Sequence, residues 1–284
     1  LKQNTGNDNT AMGHVALSAN TSGNLNTAVG AYAADANTTG IKNTAIGVNA
    51  LTTNTTGEAN VAIGYESLAN NSTASNSVAV GHEALETCTT GWGNTAFGSG
   101  AGKLITTGST NTCIGTEAGH DLTTGTSNVL VGASAGRSTA PGGAITTGSN
   151  ICVIGDNNTG TYYVRNSWTV TSDKRDKADI TDFNIGLSWI EKLRPVTYRW
   201  DMRTNYTDGK SDGSKKEDQL NIGLIAQEEL EIEKEHGFAT HKNNMLVTHE
   251  NSEGNYSMKY DRLVPILINA IKELSAKVTA LEGK

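Results

Sequence analysis

Charge is scarce in the first part of this chain. Residues 1–172 contain 14 charged side chains, whereas residues 173–284 contain 37. This roughly fourfold rise in charge density at one point indicates a boundary between two different structures. The net charge of −7 gives no indication of a nucleic-acid-binding surface.

Cysteine and long apolar runs are also scarce. Cys88, Cys113 and Cys152 lie far apart and are interpreted as small apolar fillers, not as disulfide partners or metal ligands. The histidines lack metal-ligand spacing, so no metal site and no cofactor is predicted.

No apolar run approaches the roughly 20 residues of a membrane-spanning helix, so no membrane insertion is expected. No motif pairs two carboxylates, which disfavours a glycan depolymerase.

A pentapeptide recurs along the first 160 residues. It begins as NTAMG (9–13) and NTAVG (26–30), and its closing glycines follow one another at steps of 17 residues from Gly13 to Gly132. A ninth copy, ICVIG (151–155), comes 23 residues after Gly132, with six extra residues around Ala140 to Ile145. A second small-residue column, usually glycine, lies ten residues after each closing glycine, from Gly23 to Gly142. A fixed period held over this many units is typical of a solenoid.

Each unit predicts one coil of a solenoid. The pentapeptide predicts a strand of about four residues, and the TTG or TSG segment predicts a turn. Seventeen residues suffice for two short strands and two turns, with Asn and Thr columns as hydrogen-bonded ladders. Because the coil is thin and poor in aromatics, three chains are expected to share a core. The strict period disfavours the alternative, a disordered polar tract. The prediction is therefore a mainly β domain over residues 1–160, a trimeric parallel β-roll or β-solenoid.

The repeats resemble two kinds of known repeat. One is the head repeat of trimeric autotransporter adhesins, and the other is found in phage tail fibres. The adhesin unit is shorter than this one, so the resemblance favours a related coil with a different period.

The last 112 residues predict an α+β domain. NIGLSWIEKLRPVTYRWD (184–201) predicts an amphipathic helix that ends near Arg194, because Pro195 follows, and then a strand. Residues 204–219 form a polar excursion. NIGLIAQEELE (221–231) predicts a strand or turn that leads into a helix, and residues 245–250 and 256–260 predict a hairpin around NSEGN.

The chain closes with a heptad pattern. Its apolar positions are spaced 3, 4, 3, 4 and 3 residues apart: Val264, Leu267, Ile271, Leu274, Val278 and Leu281. This seam predicts a helix in a homo-oligomeric coiled coil. The alternative is a helix that packs only into the core of its own domain.

Several motifs of this domain resemble a known family. They are S-D-x-R-x-K at residues 172–177, L-R-P-V-x-Y-x-W at 193–200, G-L-I-A-Q-E at 223–228 and Y-x-x-L-V-P-I-L-I-x-A-I-K-E-L at 260–274. In this order they resemble the intramolecular chaperone of phage tail spikes and tail fibres, the peptidase S74 family. Its members include C-terminal domains of endosialidase tailspikes and of L-shaped tail fibres, and the module also occurs in a membrane-bound myelin transcription factor.

The resemblance implies a specific role for residues 173–284. Such a domain trimerises, guides the folding of the β-fibre before it, and is then released by a serine–lysine dyad that cuts a serine–aspartate bond. On this sequence the dyad is Ser172 and Lys177, the cut lies between Ser172 and Asp173, and residues 161–172 are the connector. The implied enzyme is a self-cleaving serine endopeptidase.

The chemistry of this dyad places conditions on its surroundings. Lysine acts as a base only if its pKa falls far below about 10.4, and burial on assembly or a nearby cation such as Arg175 would lower it. Asp173 is expected either to orient Lys177 or only to become the new N-terminus. Attack by Ser172 on its own carbonyl would close a four-membered ring, so an unusual backbone geometry or attack across chains is needed. Both alternatives remain open at this point.

The implied partners follow from the same resemblance. They are two further copies of the chain, upstream tail-fibre segments, and a bacterial surface glycan or receptor. The implied location is the phage tail of the virion, after assembly in the host cytoplasm. Three near-periodic chains can slip by one coil at little cost, so a domain that trimerises first would set their register. The alternative function is a host-surface adhesin or receptor-binding fibre with an uncleaved trimerisation domain.

Overall fold

The structure, a computed structural model, describes residues 4–137, 143–156, 159, 161, 163–165, 169–251 and 254–283. The chain divides into two compact units, Leu1–Gly160 and Thr161–Lys284. Some sequence predictions fall outside the described residues: Gly142 of the second glycine column, Ala140 of the insertion, and Ser252 and Glu253 of the hairpin turn.

The first unit is a β-solenoid, as predicted. Nine parallel strands of three residues each form one sheet, and each strand pairs with the next one along the chain. The register advances by one repeat at each step, so that Ala28 pairs with Ala45 and Ala45 with Ala62. The longer last step pairs Leu130 with Val153. The strands are β1 (Thr10–Met12), β2 (Thr27–Val29), β3 (Thr44–Ile46), β4 (Val61–Ile63), β5 (Val78–Val80), β6 (Thr95–Phe97), β7 (Thr112–Ile114), β8 (Val129–Val131) and β9 (Cys152–Ile154).

The prediction of two strands per coil is wrong for the described residues. The rest of each coil is a series of turns, because left-handed residues follow the strand at short intervals. In the third coil Gly47 has φ +139°, Asn49 +57° and Leu51 +55°. Left-handed residues so close together curl the chain and prevent a second extended strand.

The core of the solenoid is formed within one chain. The middle residue of each strand from β2 to β9 faces inward and is buried, as Ala45 and Ala62 are. Leu51, Leu68 and Leu85 fill the space beside it and are completely buried. The leucine column supplies bulk that the strand alanines lack. The expectation that three chains share a core stays a prediction.

The predicted asparagine ladder is confirmed. Asn43 is 1% exposed, and its Oδ1 accepts the backbone N–H of Asn60 at 3.0 Å. Its Nδ2 donates to the carbonyl oxygen of Gly57 at 2.8 Å. The Asn26 side chain accepts the backbone N–H of Asn43 in the same way, at 2.9 Å. Each buried amide thus satisfies backbone groups that the short strands leave unpaired.

The second unit has the predicted α+β composition. Its helices are α1 (Leu187–Ile190), α2 (Ala226–Glu235) and α3 (Leu263–Glu282). Its strands are β10 (Val196–Tyr198), β11 (Asn221–Gly223), β12 (Thr248–Glu250) and β13 (Tyr256–Met258). Both β10–β11 and β12–β13 are antiparallel pairs, and the second is the predicted hairpin. The described core comprises Trp189, Ile232, Val247, Leu263 and Ile266.

Helix α1 is shorter than predicted. The chain before it is fastened along α3 instead of coiling, because the Asn269 side chain donates to the carbonyl oxygen of Phe183 at 2.5 Å. The backbone also approaches α3 closely at Gly186, where a Cβ would lie 2.4 Å from the Ala270 nitrogen. These contacts exclude a helix from residue 184 onward. Among the described residues, no helix combines the length and apolar character needed to cross a membrane.

Candidate active site

Ser172 and Lys177 lie side by side. The Lys177 Nζ donates to the Ser172 Oγ at 2.6 Å, although five residues separate them. This distance is within the range at which a base can take a proton from a hydroxyl. Both residues are exposed in the single chain. The two residues of the predicted dyad are therefore brought together, and the dyad's catalytic role stays a prediction.

A short turn creates this proximity. Residues Lys174–Asp176 form a 3₁₀ turn, and the Asp173 side chain caps it by accepting the backbone N–H of Arg175 at 2.9 Å. The Lys177 N–H closes the turn on the carbonyl oxygen of Lys174 at 3.2 Å. An N-terminal aspartate that accepts a backbone N–H is a common way to begin such a turn. The S-D-x-R-x-K spacing thus corresponds to a capped turn that brings Lys177 next to Ser172.

Arg175 forms an ion pair with Asp173. Its Nη2 lies 2.6 Å from the Asp173 Oδ2, and its Nε lies 3.1 Å and 3.2 Å from the two carboxylate oxygens. This guanidinium lowers the pKa of the Asp173 carboxyl, and the carboxylate in turn raises the pKa of Arg175. Arg175 thus pairs with Asp173. The role of Asp173 toward Lys177 stays a prediction.

The predicted seam lies on an exposed face of α3. Its six side chains are between 43% and 71% exposed, whereas Leu263, Ile266 and Ala270 on a neighbouring face are buried in the unit's core. The helix therefore has one apolar face for its own domain and a second apolar face that the single chain leaves uncovered.

Two buried carboxylates were missed by the sequence analysis. Glu233 is fully buried and accepts the backbone N–H groups of Leu246, Val247 and Thr248 at 3.1, 2.5 and 2.6 Å. Glu229 is 1% exposed and accepts from the Trp189 Nε1 at 2.7 Å. Burial raises the pKa of the Glu229 carboxyl, which the Trp189 bond opposes. Their spacing of four residues on one helix face was the available signal.

The described residues contain no cluster of three or more His, Cys, Asp or Glu side chains arranged to hold a metal ion. Histidines of the second unit are used in packing and local bonds. The His236 ring stacks on Trp189 with centroids 4.9 Å apart, and its Nε2 lies 3.2 Å from the Ser188 Oγ.

Comparison with known families identifies the segment that begins at the dyad. Residues 172–238 match the peptidase S74 family, described as the chaperone of endosialidase. The resemblance drawn from the sequence motifs is confirmed over this stretch. The match starts at Ser172 and includes Lys177, α1 and α2, and it covers less than half of the chain. Neither the curated proteins nor the solved structures yield a significant match.

The chaperone-of-endosialidase match and the solenoid before it fit a tail fibre or tailspike. The family implies a phage tail protein and suggests a self-cleaving peptidase.

Proposed function

We propose that this chain is the C-terminal part of a phage tail fibre or tailspike. Its chaperone domain drives homotrimerisation and folding of the β-solenoid and then releases itself by cutting the Ser172–Asp173 bond. The observation that carries the proposal is the 2.6 Å contact between the Lys177 Nζ and the Ser172 Oγ, at the residue where the family match begins.

The dyad acts as a nucleophile and its base. A neutral Lys177 amine takes the proton of the Ser172 hydroxyl as the oxygen attacks a peptide carbonyl. The amine of Asp173 leaves with that proton, and water then hydrolyses the ester that remains. Both dyad side chains are exposed to water in one chain. Burial between assembled chains disfavours the ammonium form, which couples cutting to assembly.

The attack takes place across chains in this proposal. A hydroxyl that attacks the carbonyl of its own residue closes a strained four-membered ring of Oγ, Cβ, Cα and the carbonyl carbon. In a trimer the hydroxyl of one copy instead reaches the scissile bond of a neighbouring copy. Refolding Ser172→Ala chains together with wild-type chains tests this, since the variant chains should then be cut. Variant chains that stay intact in mixed trimers would contradict attack across chains.

Two exposed apolar faces support self-association. One is the seam of α3, with exposed side chains from Val264 to Leu281. The other is the outward face of the solenoid sheet, where the third residue of every strand is apolar and five of the nine are exposed: Met12, Ile46, Phe97, Ile114 and Ile154. Parallel sheets are normally covered on both faces, and a second copy has the same axial period. We therefore propose that the three solenoids bury these faces against one another.

The outward faces of successive coils are alike, so we propose that the C-terminal domain acts as a clamp, a trimer that forms first and sets the register of the three solenoids. The third strand residue is apolar in every coil, so this column offers little to distinguish the correct alignment from one shifted by a coil. Chains joined first through α3 begin in register, and cleavage then leaves a trimer that unfolds slowly. The fibre is proposed to belong to the virion tail, to assemble in the host cytoplasm, to join upstream fibre segments and to contact a bacterial surface glycan or receptor.

A denaturing gel tests the cleavage. Folded wild-type protein should give two bands, and the smaller fragment should begin at Asp173. Ser172→Ala and Lys177→Ala should each give one full-length band, whereas the matched controls Ser188→Ala and Lys174→Ala should be cut normally. An intact wild-type trimer would contradict the self-cleaving function and favour an uncleaved trimeric adhesin or receptor-binding fibre.

A truncation tests the chaperone role. Residues 1–172 produced alone should aggregate or remain monomeric, while the full chain gives a trimeric fibre. A truncated chain that refolds unaided to the same trimer would show that no clamp is needed.

A further inference from the structure

Next to the scissile bond, Arg175 and Asp173 form an ion pair that takes no part in the proton transfer from Ser172 to Lys177. Arg175 contacts both carboxylate oxygens of Asp173, and the backbone N–H of Arg175 binds the same side chain. Exposed ion pairs are generally weak, but this one has two-pronged geometry and is anchored by the cap of the turn. It therefore holds the Asp173 carboxylate in a defined direction.

Without this pair, the Asp173 carboxylate would be available to Lys177. The Lys177 Nζ lies 2.6 Å from the Oγ of Ser172, which directly precedes Asp173 in the chain, so the two opposite charges belong to the same short segment. A carboxylate beside Lys177 would favour the ammonium form and oppose its action as a base. In the structure the carboxylate is paired with Arg175, and the Lys177 Nζ contacts the Ser172 Oγ.

We propose that Arg175 is a positioning residue that keeps the Asp173 carboxylate away from Lys177, so that Lys177 can lose its proton and activate Ser172. This inference rests on the proposed Ser172–Lys177 dyad and assigns Arg175 a role through Asp173. It differs from a direct effect of the guanidinium charge on Lys177. The other charged groups of the segment are Lys174, Asp176 and Asp179, and among the described residues none of them forms an ion pair with Lys177.

A double-mutant cycle on the pH dependence of cutting separates the two roles. Full-length chains are purified in urea, diluted into buffers from about pH 6 to 10, and followed on denaturing gels; the lower end lies near the histidine range and the upper end near lysine's usual pKa. With Asp173 present, Arg175→Ala should raise the pH midpoint of the cutting rate by about one unit, the shift expected when an opposite charge approaches an amine. In chains that already carry Asp173→Asn, adding Arg175→Ala should not change the pH midpoint. The double variant and the Asp173→Asn variant should therefore have the same midpoint.

Only the midpoints are compared, because Asp173 supplies the leaving amine and its replacement alters the rate itself. Arg175→Lys should restore most of the wild-type midpoint, since an ammonium can still pair with Asp173. Asp176→Asn is the matched control, an acid in the same turn, and the shift caused by Arg175→Ala should persist in its presence. Circular dichroism and sedimentation establish that each chain folds and assembles.

A second measurement does not depend on cutting. In the Ser172→Ala chain, isotope-labelled lysine reports the titration of Lys177 by NMR, and Arg175→Ala should raise its midpoint only while Asp173 is present. An equal shift in both residue-173 backgrounds, or no shift at all, would overturn the positioning role. Wild-type chains that stay intact at every pH would instead refute the self-cleaving function.

Discussion

In the solenoid each buried amide repeats a bond made one coil earlier, whereas in the C-terminal unit each buried carboxylate has its own set of donors. Asn43 binds the backbone of the next coil as Asn26 binds that of its own neighbour. Glu233 instead collects three N–H groups at the start of one hairpin, and Glu229 takes the indole of Trp189. A hydrogen bond that recurs in every coil defines the shape of a coil but not its position along the stack. Hydrogen bonds that occur only once define one unique arrangement of the chain.

This difference gives the two units different tasks. A structure of near-identical coils grows easily but offers few marks of register along its outward face. A structure with unique contacts folds in one way and, through the exposed seam of α3, can align copies of itself.

A backbone contact between coils is the most sensitive point of the solenoid. Gly64 has φ +132°, and a Cβ there would lie 2.4 Å from the carbonyl oxygen of Gly81. Gly64→Ala should therefore lower the free energy of unfolding by at least about 3 kcal/mol, measured by thermal denaturation. The control is Gly209→Ala in the C-terminal unit, with φ +68° and nothing within 4 Å, which meets only backbone strain. Equal losses would show that coil-to-coil contact is unimportant.

The seam should control assembly without controlling the fold of the domain. Leu274→Glu places a charge at an exposed position of the apolar face and should convert trimers to monomers in sedimentation, while circular dichroism retains the helical signal. Lys272→Glu, on another face of α3, should leave the trimer intact. A Leu274→Glu trimer of normal stability would place the self-association elsewhere.

Loss of one ladder amide should be costly but local. Asn43→Ala leaves the buried N–H of Asn60 and the carbonyl oxygen of Gly57 without their side-chain partner. We expect the free energy of unfolding to fall by about 2–5 kcal/mol in denaturation experiments. Asn70→Ala removes an exposed amide that bonds the carbonyl oxygen of Glu86 and should cost far less. If both variants lose the same stability, burial is not the reason that the ladder matters.

The smallest effect concerns the pH dependence of the C-terminal unit. Burial raises the pKa of Glu229, so the folded state binds its proton more tightly than the unfolded state does. The resulting stabilisation is complete below the unfolded pKa, near 4.5, and is lost as pH rises through the raised folded value. Calorimetry of Glu229→Gln across this range should show a flatter pH dependence than wild type. An unchanged pH slope would assign the titration to another group.

The role of the leucine column was not evident from the repeat alone. In the early coils leucine lies four residues after the closing glycine, as Leu68 and Leu85 do, and asparagine or cysteine lies three residues further on. From Gly102 onward glycine replaces leucine, and Ile105 and Leu122 fill the core from the other column. A Cβ at Gly102 would lie 2.9 Å from Leu85 and 3.0 Å from Ile105, which explains the exchange.

Features that depend on regular spacing along the chain could be predicted from the sequence. The 17-residue period predicts stacked coils, the heptad pattern predicts α3, and the Ser172–Lys177 spacing with its neighbouring motifs predicts the family. Regular spacing is enough for these, because repeated backbone geometry converts spacing directly into a shared face or column.

Which side chains meet across turns and between elements depended on the tertiary fold. It closed the solenoid core within one chain, fastened residues 183–186 to α3, paired Arg175 with Asp173, and buried Glu229 and Glu233. These outcomes depend on the direction of each side chain and on the competition among nearby donors and acceptors. Spacing along the chain contains neither, because both are set by the surroundings that the folded backbone creates.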